Sequence, residues 1–163
     1  MRENVPDLIV IHHTADSWTG RQYEKINQYH KERWNFQSKL GSFMGYHFLI
    51  EKDGKVVQGR ELDEEGAHML GHNLRSIGVG FAGHFDYEYP TEQQLTAFYD
   101  LLGTIFADRR WSIKDIAFHK EFNATSCPGT HITNKLLLES FFKRARNIFS
   151  KILLWGQLLI LKG

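Results

Sequence analysis

The stretch FHKEFNATSCPG, residues 118–129, holds the chain's single cysteine, Cys127, eight residues after His119. A lone cysteine usually serves as a small core hydrophobe. Here Asn123, Ala124, Thr125 and Ser126 precede it and Pro128-Gly129 follows, which is loop and turn chemistry rather than an apolar run that would bury a thiol. A reactive nucleophile and a metal ligand remain as readings, and the histidines bear on both. There are nine. His12 and His13 close one strand-like apolar run and His119 closes another, and the carboxyl ends of strands are where open α/β sheets bind ligands. Two imidazoles and a thiolate make a sound zinc set, with a fourth position left for water. A bound cation would also take the proton off the thiol at neutral pH. The His-x7-Cys spacing is not that of a close-set zinc motif, so the residues alone leave nucleophile and ligand open.

The elements that must position these groups can be read along the chain. DLIVIHHT is a short, nearly continuous apolar run, as expected of a strand covered on both faces. Its adjacent histidines must point to opposite faces, so His12 and His13 cannot both meet one metal. Tyr23, Ile26, Tyr29 and Arg33-Trp34 recur at helical spacing and predict a helix within residues 20–34. GYHFLIEKDGKVVQGRE predicts a hairpin turning at Asp53-Gly54. SIGVGFAGHF predicts another strand, whose glycines permit close approach by a neighbour. Thr91 and Gln94 have capping-box spacing ahead of a stripe of Leu95, Phe98, Leu101, Leu102, Ile105 and Phe106. DIAFH predicts a further short strand, and Thr133 can cap a last helix from about residue 134. Strands alternating with helices predict a single α/β domain with a central mixed β-sheet flanked by helices.

The bulk numbers agree. At 163 residues the chain is one ordinary domain with 42% hydrophobic and 24% charged residues. A net charge of +1 argues against a nucleic-acid partner bound through a broad basic surface. A single cysteine excludes an internal disulfide. The N-terminus has no long apolar stretch after its charges, so no secretory signal is expected and synthesis in the cytoplasm is. From Phe141 to Gly163 there are five basic residues and no acidic one, around the apolar run ILLWGQLLIL. That run is too short to span a bilayer. It reads as a helix packed on the core, or as a basic amphipathic segment touching a membrane or an anionic wall polymer. The expected organisation is a catalytic-type domain over residues 1–150 and a basic apolar tail over residues 151–163.

Four motifs, VIHHTA, GYHFLI, GAHMLGHNLRSIGVGFAG and HKEFNATSCPG, occur in the order and spacing of the type 2 zinc amidases. That family includes the phage lysozyme-type amidases and the animal peptidoglycan-recognition proteins. The resemblance covers roughly residues 7 to 145. It implies Zn²⁺ as cofactor, peptidoglycan or muropeptides as substrate, and cleavage of the amide joining N-acetylmuramic acid to the L-alanine of the stem peptide. Carried over, His12, His119 and Cys127 are the metal ligands, with His12 rather than His13 the first. Relatives lacking the cysteine are typically binders without hydrolytic activity, and this chain keeps it.

The resemblance further implies that Tyr46 positions water or hydrogen-bonds the oxyanion, which a phenol can do without ionising. Thr125 stands where phage lysozyme-type members carry a lysine, so it can hydrogen-bond an intermediate but places no positive charge there. His68 and Asn73 are the implied substrate contacts, with His72 beside them in the same groove. Trp18 and Arg75 lie near the motifs and read equally well as ordinary surface residues. His30, His84 and His131 read as surface or loop histidines. Three other functions fit parts of the sequence. One is a binder of peptidoglycan that does not cut it, and another is a phage protein with an added regulatory partner, such as a polymerase. The third is a cysteine hydrolase with His119 as base, which would survive chelation. Expected settings are a phage endolysin released through a holin, a toxin injected into a rival cell, or a cytosolic enzyme recycling muropeptides.

Overall fold

The computed structural model describes residues 5–108 and 111–146. The chain divides into two compact units, Met1–Ile132 and Thr133–Gly163. In the second, residues 134–146 are helical, and the Thr133 hydroxyl accepts the Leu136 N–H at 3.1 Å, the cap its sequence predicts. The basic apolar tail and the expected boundary at residue 150 lie outside the described residues. No helix among the described residues is long and apolar enough to cross a membrane.

The first unit is built on a five-stranded mixed sheet, with β1 (Leu8–His13), β2 (Phe48–Ile50), β3 (Val56–Gln58), β4 (Ser76–Phe81) and β5 (Ile116–Phe118) in the order β3-β2-β4-β1-β5. β1 runs parallel to β4 on one side and β5 on the other, β2 runs parallel to β4, and β2–β3 is the antiparallel hairpin. The unbroken apolar run of β1 therefore matches its place between two parallel neighbours, and Ile9, Val10 and Ile11 have no exposed surface. In the hairpin turn only Gly54 takes a positive φ (85°), while Asp53 accepts the Lys55 N–H through its carboxylate. This is the α/β architecture with a mixed sheet and helices that the sequence predicts.

Helix α1 (Tyr23–Trp34) starts where the Glu51 carboxylate, buried at the end of β2, accepts the N–H groups of Gln22 and Tyr23 at 2.9–3.0 Å. A carboxylate at that end satisfies orphan donors and meets the positive pole of the helix dipole. The helix stops at Asn35, whose φ of 48° turns the chain into the left-handed region. Its buried face is Ile26 and His30, one turn apart, while Tyr29 is exposed. His30 is thus not a surface histidine: its Nδ1 accepts the Gly45 N–H at 2.8 Å in the interior. Helix α2 (Glu92–Asp108) opens with the reciprocal Thr91–Gln94 capping box, at 3.0 and 3.1 Å. The buried Gln94 amide then donates to the carbonyls of Ile50 and Ala82, tying the helix start to the ends of β2 and β4. Phe98, Leu101, Leu102 and Ile105 of the predicted stripe are buried.

Burial of neutral histidines makes the fold sensitive to acid. His47 accepts the Gly78 N–H on Nδ1 and meets the Glu64 carbonyl through Nε2, and burial lowers its pKa to about 4. Burial, then the charges of Arg60 and Arg33, lowers His30 to about 4 as well. Both folded-state values lie below the unfolded imidazole value near 6.5, so as pH falls the unfolded chain takes up these protons first. The stabilisation is present above pH 6.5 and is lost on descending toward pH 4. At about 1.4 kcal/mol per pH unit for each group, His47 alone weakens the fold by on the order of 3 kcal/mol across that window. Urea denaturation of metal-free protein should show the midpoint falling steadily from pH 7 to pH 4.5. A midpoint constant over that range would refute the assignment.

Candidate metal centre

The parallel register assembles the site. β1 and β5 pair Ile11 with Phe118, so the next residue of each chain, His12 and His119, stand side by side at the carboxyl edge. Their ring centroids are 4.5 Å apart. The loop after β5 returns Cys127 to the same place, and donor atoms of His12, His119 and Cys127 all lie within 4.8 Å of one another. His13 takes the other face, as strand alternation requires. Its Nδ1 accepts the Phe85 N–H at 3.2 Å, and its own backbone N–H donates to Cys127 Sγ at 3.4 Å.

The thiol is buried, contrary to the expectation from its loop sequence. Segment 85–86 is the reason: the Asp86 carboxylate accepts the Ser126 hydroxyl and the Thr130 N–H, and the Phe85 carbonyl accepts the His131 N–H. These bonds hold a polar loop against the sheet and leave Cys127 on its inner side. Thr125 is exposed on the loop, and its Oγ1 accepts the Cys127 N–H at 3.2 Å. His84 is half-buried, its ring 4.5 Å from Tyr87, and His131 stacks on Tyr89 at 4.0 Å, so both are loop residues as expected.

Hydrogen bonding fixes which nitrogens face the cluster. His119 Nε2 lies 3.1 Å from Asn123 Oδ1, an acceptor, so Nε2 carries the proton and the Nδ1 lone pair is free. The Ser76 hydroxyl donates to the His72 carbonyl at 2.8 Å, so toward His68 Nε2, 3.5 Å away, it can only accept. His68 Nε2 is therefore the protonated nitrogen, and His68 Nδ1 accepts from His12 Nε2–H at 3.0 Å. His12 is left with a free Nδ1 lone pair, 3.6 Å from Cys127 Sγ. An ion held tetrahedrally at about 2.0–2.1 Å from nitrogen and 2.3 Å from sulfur needs an N···S edge of roughly 3.5 Å. The donor set fits such an ion. Burial, reinforced by the neighbouring imidazoles, holds His12 well below the ordinary imidazole range and so neutral, the state a ligand needs. Burial pushes the Cys127 thiol up to about 12, and only an adjacent cation would ionise it near neutrality.

The glycines of β4 explain how rings reach this face. A Cβ on Gly80, the register partner of His12, would stand 2.9 Å from the Tyr46 ring, and one on Gly78 would stand 2.6 Å from the His68 ring. Tyr46 lies with its centroid 5.2 Å from that of His12. Asn73 turns inward: its Oδ1 accepts the N–H groups of His68 and Met69. Beside the cluster opens a cleft of about 500 Å³ lined by Trp34, Phe36, Glu65, His68, His119 and Asn123 among others, Asn73 included. Trp18 and Arg75 are exposed and do not line it; Arg75 forms a bidentate pair with Asp7.

Two residues that shape the site are not singled out by the sequence. Arg60 is completely buried, donates to the carbonyls of Phe36, Met44 and Glu65, and places its guanidinium 4.5 Å from the centre of the Phe36 ring. It thereby fixes part of the cleft wall. Asn123 orients His119, and its only sequence signal is its place four residues after that histidine.

The fold and site together define an α/β domain whose strand ends carry a cluster able to hold a metal ion. A family model described as N-acetylmuramoyl-L-alanine amidase matches residues 2–130. Peptidoglycan-recognition protein SC2 of Drosophila melanogaster is 34% identical over 142 residues, 86% of this chain and 77% of its own length. Among solved structures, the endolysine N-acetylmuramoyl-L-alanine amidase LysCS from Clostridium intestinale URNW matches with a TM-score of 0.72 at 34% identity, over 85% of this chain and 86% of its own. Peptidoglycan recognition protein LE in complex with tracheal cytotoxin, a monomeric diaminopimelic acid-type peptidoglycan, matches with a TM-score of 0.69 at 29% identity, over 80% and 78%. The chain belongs to the N-acetylmuramoyl-L-alanine amidase family.

Proposed function

We propose that this protein is a zinc-dependent amidase that cleaves peptidoglycan between N-acetylmuramic acid and L-alanine. The observation that carries the proposal is the convergence of His12, His119 and Cys127, two neutral nitrogens and a sulfur, beside an open cleft. Their softness and number suit zinc with one position left for water or substrate. When bound, zinc lowers the pKa of water to about 7 and polarises the scissile carbonyl. The chain's own residues do the rest. His68 and Asn123 hold the two imidazoles with Nδ1 toward the cluster. Burial keeps the Tyr46 phenol above its ordinary range, so it remains an O–H donor for the developing oxyanion. Thr125 sets the turn that presents Cys127, with its hydroxyl proton not used in that contact. The cleft, with Trp34 and Phe36 exposed on its wall, would take sugar and stem peptide. The likeness to LysCS, an endolysine, supports a lytic role on the cell wall.

The cysteine-nucleophile reading is disfavoured by the site. Reactive thiols sit in electropositive, partly exposed places with lowered pKa, whereas Cys127 is buried and its pKa is raised.

Digestion of purified peptidoglycan, followed by mass spectrometry, tests the proposal. Native protein should release stem peptides with a free L-alanine amine, a chelator should abolish them, and added zinc should restore them. Sedimentation with peptidoglycan but no product at any zinc concentration would make the protein a binder. Product that persists in chelator would overturn the metal.

A further inference from the structure

The histidine of GAHMLGHN is built into the site differently from a substrate contact. Its ring is held between two backbones: a Cβ on Gly66 would meet His68 Cδ2 at 2.4 Å, and a Cβ on Gly78 would meet it at 2.6 Å. The side chain is buried, and both its nitrogens are engaged, Nδ1 by His12 and Nε2 by Ser76. Its backbone N–H is taken by Asn73 Oδ1 at 2.9 Å. This arrangement leaves no side-chain nitrogen of His68 for a ligand, although the residue borders the cleft.

We infer that His68 is a positioning residue for metal capture, fixing the tautomer and rotation of His12 through the His12 Nε2–H···Nδ1 His68 bond. The polarity of the chain matters here. Ser76 gives its proton to the His72 carbonyl, which obliges His68 to accept from His12 and obliges His12 to keep its lone pair on Nδ1. Without the acceptor, His12 could protonate Nδ1 instead and present a proton where the ion must bind. Partners of this kind on ligating histidines typically govern metal affinity by 10- to 100-fold. Asn73 has a share in the same device, since its carbonyl holds the backbone of His68 and Met69 in place.

The inference rests on the zinc reading above, and two substitutions separate it from both a packing role and a substrate role. His68→Phe keeps a flat ring in the glycine cradle but removes the acceptor. His68→Gln loses ring shape but returns an acceptor oxygen to His12. Zinc affinity of the full chain is measured by competition with a fluorescent chelator, and the thiolate-to-metal absorption of the cobalt-loaded protein is recorded alongside. Native protein should bind one zinc. His68→Phe should weaken zinc binding 10- to 100-fold and alter the cobalt spectrum, and His68→Gln should recover most of the affinity. With zinc saturating, KM for muropeptides should stay within about threefold of native in His68→Gln. Native affinity in His68→Phe would overturn the inference and leave the zinc reading standing. So would zinc affinity lost equally in both variants, which is the signature of packing. Unchanged zinc binding with a raised KM would return His68 to the substrate. A native chain that binds no zinc would overturn both readings.

Discussion

Cys127→Ala should abolish zinc binding and lower amide hydrolysis at least about a thousandfold, which corresponds to roughly 4 kcal/mol of lost transition-state stabilisation. The same variant should still sediment with peptidoglycan. Both halves of the expectation come from the geometry. Cys127 supplies the one soft donor of the cluster, and two imidazoles without it make a weak, open site. The cleft is lined by other residues, so removing a sulfur behind it leaves its walls in place. The loop should survive as well. Asp86 holds it through Ser126 and Thr130, Lys120 donates its backbone N–H to the Cys127 carbonyl, and alanine keeps the backbone and Cβ while removing only the sulfur. Cys127→Ser is the sharper variant, because a hydroxyl of similar shape does not ionise readily and so tests ligation apart from packing. Hydrolysis within tenfold of native in both variants would sink the metal role of this residue. Loss of peptidoglycan binding along with hydrolysis would show that the cleft and the cluster are not separable.

What could be read from the sequence follows from the range of each interaction. β1 was legible because four apolar residues in a row between Asp7 and His12 suit a doubly covered strand, and strand alternation separates His12 from His13 by face. The α2 capping box was legible because its two partners are three residues apart. Close approach at the β4 glycines could be anticipated, but the rings that approach, Tyr46 and His68, come from other segments and appear only in the fold. Loop composition points away from a buried thiol, yet Cys127 is buried because Asp86, 40 residues before Ser126 in the chain, staples the loop down. His30 is buried against the sequence expectation for a similar reason. Its partner is the backbone N–H of Gly45, and nothing in the spacing of α1 marks an inward imidazole over an inward tyrosine at position 29. Arg60 left no trace at all, since its partners are carbonyls, which every residue has. Residue type therefore revealed which donor groups were available and left nucleophile and ligand open, whereas their convergence and the hydrogen bonds that orient them required the tertiary structure.

Tyr46→Phe should lower kcat by about a hundredfold while zinc affinity stays native and KM moves by less than about threefold. The ring has a place that does not depend on its hydroxyl. It packs against the core cluster of Ile26, Met44, Leu49 and Ala82, and it lies over Gly80, where no side chain competes. Phenylalanine satisfies both contacts, so the fold and the position of the neighbouring His12 ring should be retained. What disappears is one O–H donor on a ring whose centroid lies 5.2 Å from that of His12. Removing a single donor to a developing oxyanion typically costs 10²- to 10³-fold in kcat. Burial pushes the phenol above its ordinary value, so it stays protonated in the working range. The deficit should therefore be the same at pH 6 and pH 8. That constancy separates a hydrogen-bond donor from a general base, whose loss would be felt more at one end of the range. If kcat in Tyr46→Phe stays within threefold of native, the hydroxyl has no part in the chemistry. The residue would then be a core aromatic whose contribution ends with the packing of its ring against Gly80.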